Sequence, residues 1–243
     1  MTYTKQFFEL QLIFASRVAT LSKMPLGCAL LNYTNLYVRF GLGRQFDAAH
    51  PTWQEYLSGL ERSTDHRDWT FSFYQARLPD MGPPSVVSTV GCFSYARLGA
   101  GHIRLHFQNA EVAGHSPLSA NRRGYRLAEL RALFEEVRRG EDRLRRVVGA
   151  SWLYNLEAYR RLFPNLYLAT ATTSPTPFQN MPLWGQFLDR HGTVRQRLAV
   201  PFLHRLSRQR SLDGLAQCFP YQVLTLDAPA SSFYNFYERG KEH

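Results

Sequence analysis

The apolar residues change period along the chain, and that change restricts the fold more than any single motif does. Between residues 4 and 22, Phe7, Leu10, Phe14, Val18 and Leu21 recur at helical spacing, with Thr4 placed to cap the start and Met24-Pro25 to end it. A second helix is expected from Cys28 to Phe40, stopped at Gly41-Leu42-Gly43, and His50-Pro51-Thr52 introduces a short third one through Leu60. The spacing then shortens to two. Trp69, Phe71 and Phe73 alternate with Thr70, Ser72 and Tyr74, and β-branched or aromatic residues alternate again between Val86 and Tyr95. Leu98-Gly99-Ala100-Gly101 reads as a tight connection to a further strand, His102 to Phe107. Strands at 69–78, 86–97 and 102–108 are therefore expected to form an antiparallel meander, with Pro79-Asp80-Met81-Gly82-Pro83-Pro84 as a turn between the first two.

Ser116-Pro117 has the chemistry of a helix start, and Leu127, Leu130, Phe134 and Val137 give the following segment one apolar stripe, so a long helix at 119–139 should lie across the sheet. Val147 to Trp152 reads as a fourth strand and Leu156 to Leu162 as a short helix. Beyond a Thr/Ser/Pro-rich loop at 170–182, helical patterns near Leu183 to Leu188 and Arg195 to Leu206, a strand at Gln222 to Leu226 and an aromatic tail complete the chain. The expected fold class is α+β: an antiparallel meander flanked by helices in a core domain at 1–170, with a mainly helical extension at 183–243 packed on it.

Composition narrows the classes further. A chain with 44% hydrophobic and 20% charged residues carries enough apolar surface to offset the entropy of ordering, which excludes a disordered protein. No apolar run approaches the roughly 20 residues that span a bilayer, and Glu9 and Gln11 interrupt the first apolar stretch, so cytoplasmic residence is the expectation. Cys28, Cys92 and Cys218 are far apart and form no Cys-x-x-Cys pair, which points to buried free thiols rather than a disulfide framework or a zinc ribbon. The formal charge of +10 favours polyanions and phosphate-bearing ligands. Nearly all of that charge is arginine, with Lys only at Lys5, Lys23 and Lys241.

The order of elements from about Phe7 to Tyr167 resembles the core of the GCN5-related N-acetyltransferases. The resemblance is closest where the strand at Val147 runs into Asn155-Leu156-Glu157-Ala158-Tyr159, similar to that family's Asn-x-x-Ala helix start. In Asn121-Arg122-Arg123-Gly124-Tyr125-Arg126, the central glycine of the family's phosphate-binding loop is kept. The resemblance implies an acyltransferase that takes its acyl group from acyl-coenzyme A, or another carrier thioester, and delivers it to an acceptor. It implies that the cofactor lies between two splayed strands with its pyrophosphate at the start of the long helix. Arg122, Arg123, Gly124 and Arg126 would then be cofactor-binding residues together with Asn155, and Tyr159 the acid that protonates the leaving thiolate. Elementary chemistry agrees with the phosphate site, because a helix start offers unsatisfied N–H donors and partial positive charge.

Plainer readings stand beside these. Tyr154 and Tyr159 also read as packing aromatics, and Asn155 as a helix cap. His102 and His106 share one strand face, but about 13 Å of strand separates them at ~3.3 Å per residue, too far for one metal ion. No metal is expected; His106 is instead a candidate general base beside a substrate groove. Ser151, in Gly149-Ala150-Ser151-Trp152, lies where a strand would end at a site and is the third catalytic candidate. No Gly-x-Ser-x-Gly elbow, Walker loop or dinucleotide fingerprint is present. The second class of function is noncatalytic binding of nucleic acid or another anion. It rests on Arg122 to Arg146 and on Arg190 to Arg210, a segment with six arginines and no acidic residue that is expected to be a solvated surface helix.

Overall fold

The computed structural model describes residues 2–78, 86–111, 116–141, 144–173 and 177–239. The expected turn at 79–84, His115, and residues 174–176 of the 170–182 loop lie outside them. The chain forms two compact units, each assembled from two segments. One comprises Met1–Pro83 and Pro175–Gln222, the other Pro84–Ser174 and Val223–His243. Among the described residues no helix is long and apolar enough to cross a membrane.

The first unit is helical. Helix α1 (Lys5–Ser22) buries Phe7, Phe8, Leu10, Gln11, Phe14, Ala15 and Val18, and ends where Lys23 turns left-handed at φ 58°. Thr4 precedes it, but its side chain makes no capping hydrogen bond. The single helix expected from Cys28 to Phe40 is two: α2 (Leu26–Tyr33) and α3 (Leu36–Arg39). The break has a side-chain cause. Thr34 Oγ1 donates back to the Leu30 carbonyl at 2.6 Å and accepts from Leu36 N at 3.4 Å, while Asn35 N donates to Gln11 Oε1 at 3.0 Å. Helix α4 (Pro51–Arg62) begins with proline at its first position, and His50 Nδ1 accepts from Thr52 N at 3.2 Å.

Residues 69–78 are not a strand. They belong to helix α5 (His66–Arg77), whose start is capped by Asp65 accepting from Arg67 N at 2.9 Å and Asp68 N at 3.1 Å. The alternating aromatics mislead because they meet different neighbours around the helix. Phe71 packs on Phe8 and Tyr74, whereas Trp69 packs on Phe73 and lies over the bare backbone of Gly59. Helices α9 (Met181–Gly185) and α10 (Gln196–Ser207) complete this unit; Phe14 of α1 meets Trp184, Phe202 and Phe219 at ring separations of 5.4, 5.9 and 5.5 Å. Of the cysteines, Cys92 and Cys218 are buried free thiols, whereas Cys28 is exposed.

The second unit is a six-stranded, mostly antiparallel open sheet with helices packed on it. The single strand expected at 86–97 is two, β1 (Ser88–Val90) and β2 (Phe93–Gly99), parted by a turn at Gly91 with φ 57°, and these form an antiparallel meander with β3 (His102–Phe107). Its tight connection uses positive φ at Gly99, Ala100 and Gly101. Helix α6 (Arg123–Gly140) then crosses over to β4 (Arg146–Ser151), which runs parallel to β3. After the short helices α7 (Glu157–Arg160) and α8 (Asn165–Leu168) come β5 (Thr172–Thr173), β6 (Leu224–Pro229) and the terminal helix α11 (Ala230–Arg239). The spatial order is β1-β2-β3-β4-β6-β5. Leu130, Leu133, Phe134 and Val137 of α6 pack with Ile103, Leu105, Val147, Leu226 and Ala228 of the sheet, and Phe233 and Tyr237 of α11 stack on Phe134.

The α4–α5 contact supplies a stability test of the helical assignment at residue 70. Thr70 Oγ1 donates to the His66 carbonyl at 2.6 Å, so the hydroxyl of Tyr56 is the donor in its 2.9 Å bond to the same oxygen. Thr70→Val keeps the shape and strands a fully buried phenol. We predict a loss of about 1–3 kcal/mol in urea unfolding, largely recovered in a Tyr56→Phe background.

Candidate functional site

The β3–β4 pairing stops halfway along both strands. Its parallel register is His102↔Arg146, Ile103↔Val147 and Arg104↔Val148, and ends there. Both strands continue for three more residues, each paired only on its outer side. Phe93 of β2 is opposite Phe107, and Thr225 and Leu224 of β6 are opposite Ala150 and Ser151. The strands are thus zipped at their amino-terminal halves and unpaired with each other at their carboxy-terminal halves, which leaves facing main-chain edges.

One face of this parting is lined by phenols. Tyr154 lies in the 3-10 turn Trp152–Asn155 that follows β4, Tyr159 in α7 and Tyr167 in α8. Tyr154 and Tyr167 share a hydrogen bond of 2.8 Å, and a Cβ built on Gly149 would sit 2.0 Å from the Tyr167 hydroxyl and 2.2 Å from that of Tyr154. Gly149 is the first β4 residue beyond the last β3 pair, so glycine there is what lets two hydroxyls rest against the backbone. Burial pushes the phenols of Tyr154 and Tyr159 well above the ordinary tyrosine range, with Tyr167 and Tyr154 respectively adding to the shift. Tyr237 is raised by burial too, and its hydroxyl donates to the Leu162 carbonyl at 2.9 Å. All stay neutral at any physiological pH.

The three catalytic candidates occupy different surroundings. The Tyr159 ring packs against Phe107 and Phe93, on the face that α6 covers. Strand alternation puts His106 on the opposite face with Arg104, across from Ser94. Ser151 Oγ accepts from Leu153 N at 3.1 Å and so caps the turn after β4, while Asn155 Nδ2 donates to the Trp152 carbonyl at 2.7 Å. His102 Nδ1 lies 3.1 Å from the Ala100 carbonyl. Among the described residues no three His, Cys, Asp or Glu side chains are grouped as a metal would require.

At the start of α6, the four cofactor-binding candidates are together but not equivalent. Arg122 pairs with Glu111 at 2.8 Å and lies over the Tyr125 ring at 4.8 Å. Arg126 is buried; it pairs with Glu111 at 2.9 Å and Glu129 at 2.7 Å, and also donates to Cys92 Sγ. Two guanidinium groups are therefore matched by two carboxylates. Arg123 and Gly124 are exposed, and a Cβ on Gly124 would meet nothing within 4 Å. Arg161, which sequence reasoning did not single out, donates at 3.2 Å to the carbonyls of Leu118 and Ser119 and ties the end of α7 to the turn before α6. Glu111 was missed as well. Only Glu129, three residues after Arg126 on the same helix, left a readable spacing.

No family model, no curated protein and no solved structure matches this chain.

The contact at Gly149 can be tested directly. Gly149→Ala should destabilise the protein by about 1–3 kcal/mol, since the added methyl overlaps two buried hydroxyls. Tyr167→Phe in that background should recover part of the loss in denaturant melts, a coupling that distant sites would not show.

Proposed function

We propose that the sheet unit binds an acyl-coenzyme A, or a similar carrier thioester, and transfers the acyl group to a nucleophilic acceptor. The observation that carries this reading is the parting of β3 and β4, two parallel strands joined by the helix whose start offers an open glycine. A pantetheine-like arm carries amides, and unpaired strand edges can hydrogen-bond amides as a partial extra strand does. The reading also draws on the resemblance to GCN5-related N-acetyltransferases seen in the sequence; the order here is meander, α6, parallel β4, then β6 against β4 with β5 outermost.

In this reading Gly124 admits a pyrophosphate to the N–H groups opening α6, and Arg123 supplies its charge. Arg122 and Arg126 shape the turn through Glu111 and Glu129 and add little net charge. The acceptor attacks the thioester carbonyl, a C–N or C–O bond forms, and the C–S bond breaks with its electron pair leaving on sulfur. The sulfur then takes up a proton. Tyr159, held neutral by burial, is a poor full proton donor to a thiolate, whose conjugate acid is the stronger one. Its role is hydrogen bonding to the departing sulfur, with the proton coming ultimately from the acceptor. An acceptor approaching from the other face of β3 would give that proton to His106, and solvent would return it to the sulfur. Ser151 serves through the turn it caps.

Calorimetric titration with coenzyme A, acetyl-coenzyme A and longer acyl thioesters tests the reading. Arg123→Ala should lose about 1.5–3 kcal/mol of binding. Gly124→Ala should move two properties in opposite directions: folding stability rises by about 0.4–1 kcal/mol because a helical glycine is replaced in open space, while thioester binding falls. Absence of binding by every thioester, or binding indifferent to both substitutions, overturns it.

A second reading, noncatalytic binding of nucleic acid, is favoured by α10, where exposed Arg197, His204 and Arg208 lie along one stripe. Under that reading RNA or DNA binds at low ionic strength and is released steeply as salt is added. Arg197→Ala with Arg208→Ala should then flatten the salt dependence; no association at low salt excludes it.

A further inference from the structure

Among the described residues, the helical unit holds one buried guanidinium, Arg39, that is paired with no carboxylate. Arg39, in the last turn of α3, is 9% exposed. Its guanidinium carbon lies 4.2 Å from the centroid of the Tyr3 ring and 5.5 Å from that of Phe7, and its Nη1 donates to the Tyr3 hydroxyl. Nε is buried without a partner, and neither Nε nor Nη2 donates to any described residue. No carboxylate among the described residues is paired with it, unlike the buried Arg126 of the other unit, which has two. Burial without a counter-charge is expensive for a guanidinium, and desolvation lowers its affinity for its proton accordingly. Aromatic faces offset that cost in part.

The two phenols around Arg39 share one property: each accepts one hydrogen bond and donates none among the described residues. Tyr3 oxygen accepts from Arg39 Nη1, and Tyr74 oxygen accepts from the Tyr3 backbone N–H at 3.3 Å. Each phenol therefore has an O–H proton to donate, and no described residue accepts it. The two rings are 5.9 Å apart. Tyr74 is buried, so water does not satisfy its proton freely; Tyr3 is half-buried, which leaves an approach from the surface. Arg39 Nη2 and two O–H donors without acceptors among the described residues suit a ligand that only accepts.

We propose that Arg39, Tyr3 and Tyr74 form a binding site for an oxyanion, the carboxylate or phosphate of a small molecule, with Nη2 of Arg39 making the charge-assisted contact and the two phenols completing it. This site is in the helical unit and does not depend on the thioester reading of the sheet unit. Its charge is retained against the interest of the free protein, as binding residues often are.

Thermal melts and calorimetry of the full chain with sodium acetate and sodium phosphate, against sodium chloride at equal ionic strength, provide the test. Acetate or phosphate, according to which oxyanion the site takes, should raise the melting temperature saturably, with chloride giving no such rise. Arg39→Met should abolish that rise, and Tyr74→Phe should weaken binding roughly tenfold or more by removing one donor to a charged acceptor. Coenzyme A binding should be unchanged in Arg39→Met, so the two readings fail separately. A wild-type protein with no saturable response, a response equal in chloride, or one that survives Arg39→Met overturns the proposal. Should Arg39→Met not fold, an undiminished affinity in Tyr74→Phe overturns it equally.

Discussion

Because β4 runs parallel to β3, the chain cannot return by a hairpin and must cross the sheet, and α6 is that crossover. Everything distinctive about the sheet unit follows from this constraint. The crossover brings a helix start to the carboxy-terminal end of β3, entered through a 3-10 turn at Ala120–Arg122 in which Arg122 N and Arg123 N already donate to the Ser119 and Ala120 carbonyls. It also makes the β3–β4 contact the one pairing in the sheet between parallel strands, and that contact lasts three residue pairs. Each strand is held along its whole length by an antiparallel neighbour on the other side, so the carboxy-terminal halves can diverge without either strand losing its shape.

The start of α6 shows why counting arginines is a poor guide to a phosphate site. Arg122 and Arg126 carry two positive charges, and Glu111 and Glu129 cancel them within hydrogen-bond distance. Removing a single member would leave a buried charge uncompensated, which makes this cluster a brace for the loop entering the helix. Glu129 also accepts from Cys92 N at 3.1 Å and lies close against Gly91, which turns at φ 57°. The brace thus reaches back to the turn between β1 and β2. What it leaves for a ligand is geometry: an open glycine and one exposed guanidinium.

Most of the sheet unit was legible in the sequence because its signals are local. Alternation marks β2 and β3, the Gly99–Gly101 turn joins them, and a single apolar stripe gives α6. Residues 69–74 defeated the same rule, since four aromatics in a helix that packs on several sides imitate alternation, and the Asp65 cap that contradicted it was overlooked. The break at Thr34 was also written locally, in a side chain able to replace a backbone acceptor. The site itself was less legible. The place where β3 and β4 separate is a matter of tertiary register, Glu111 reaches Arg122 and Arg126 across a connection, and the orphan donors at Arg39 exist only once three distant segments have met.

Glycine at 149 and arginine at 39 deviate from good packing in opposite ways, and the contrast separates structure from function. At Gly149 the missing side chain is occupied by two phenol oxygens bonded to each other, so the vacancy is filled and every group there has a partner. Folding alone accounts for it. At Arg39 a charged group is buried among aromatic rings with its Nε unanswered among the described residues, and apolar side chains of similar size would pack there at no electrostatic cost. Folding does not account for that choice. The oxyanion proposed above would supply the counter-charge that the described residues do not.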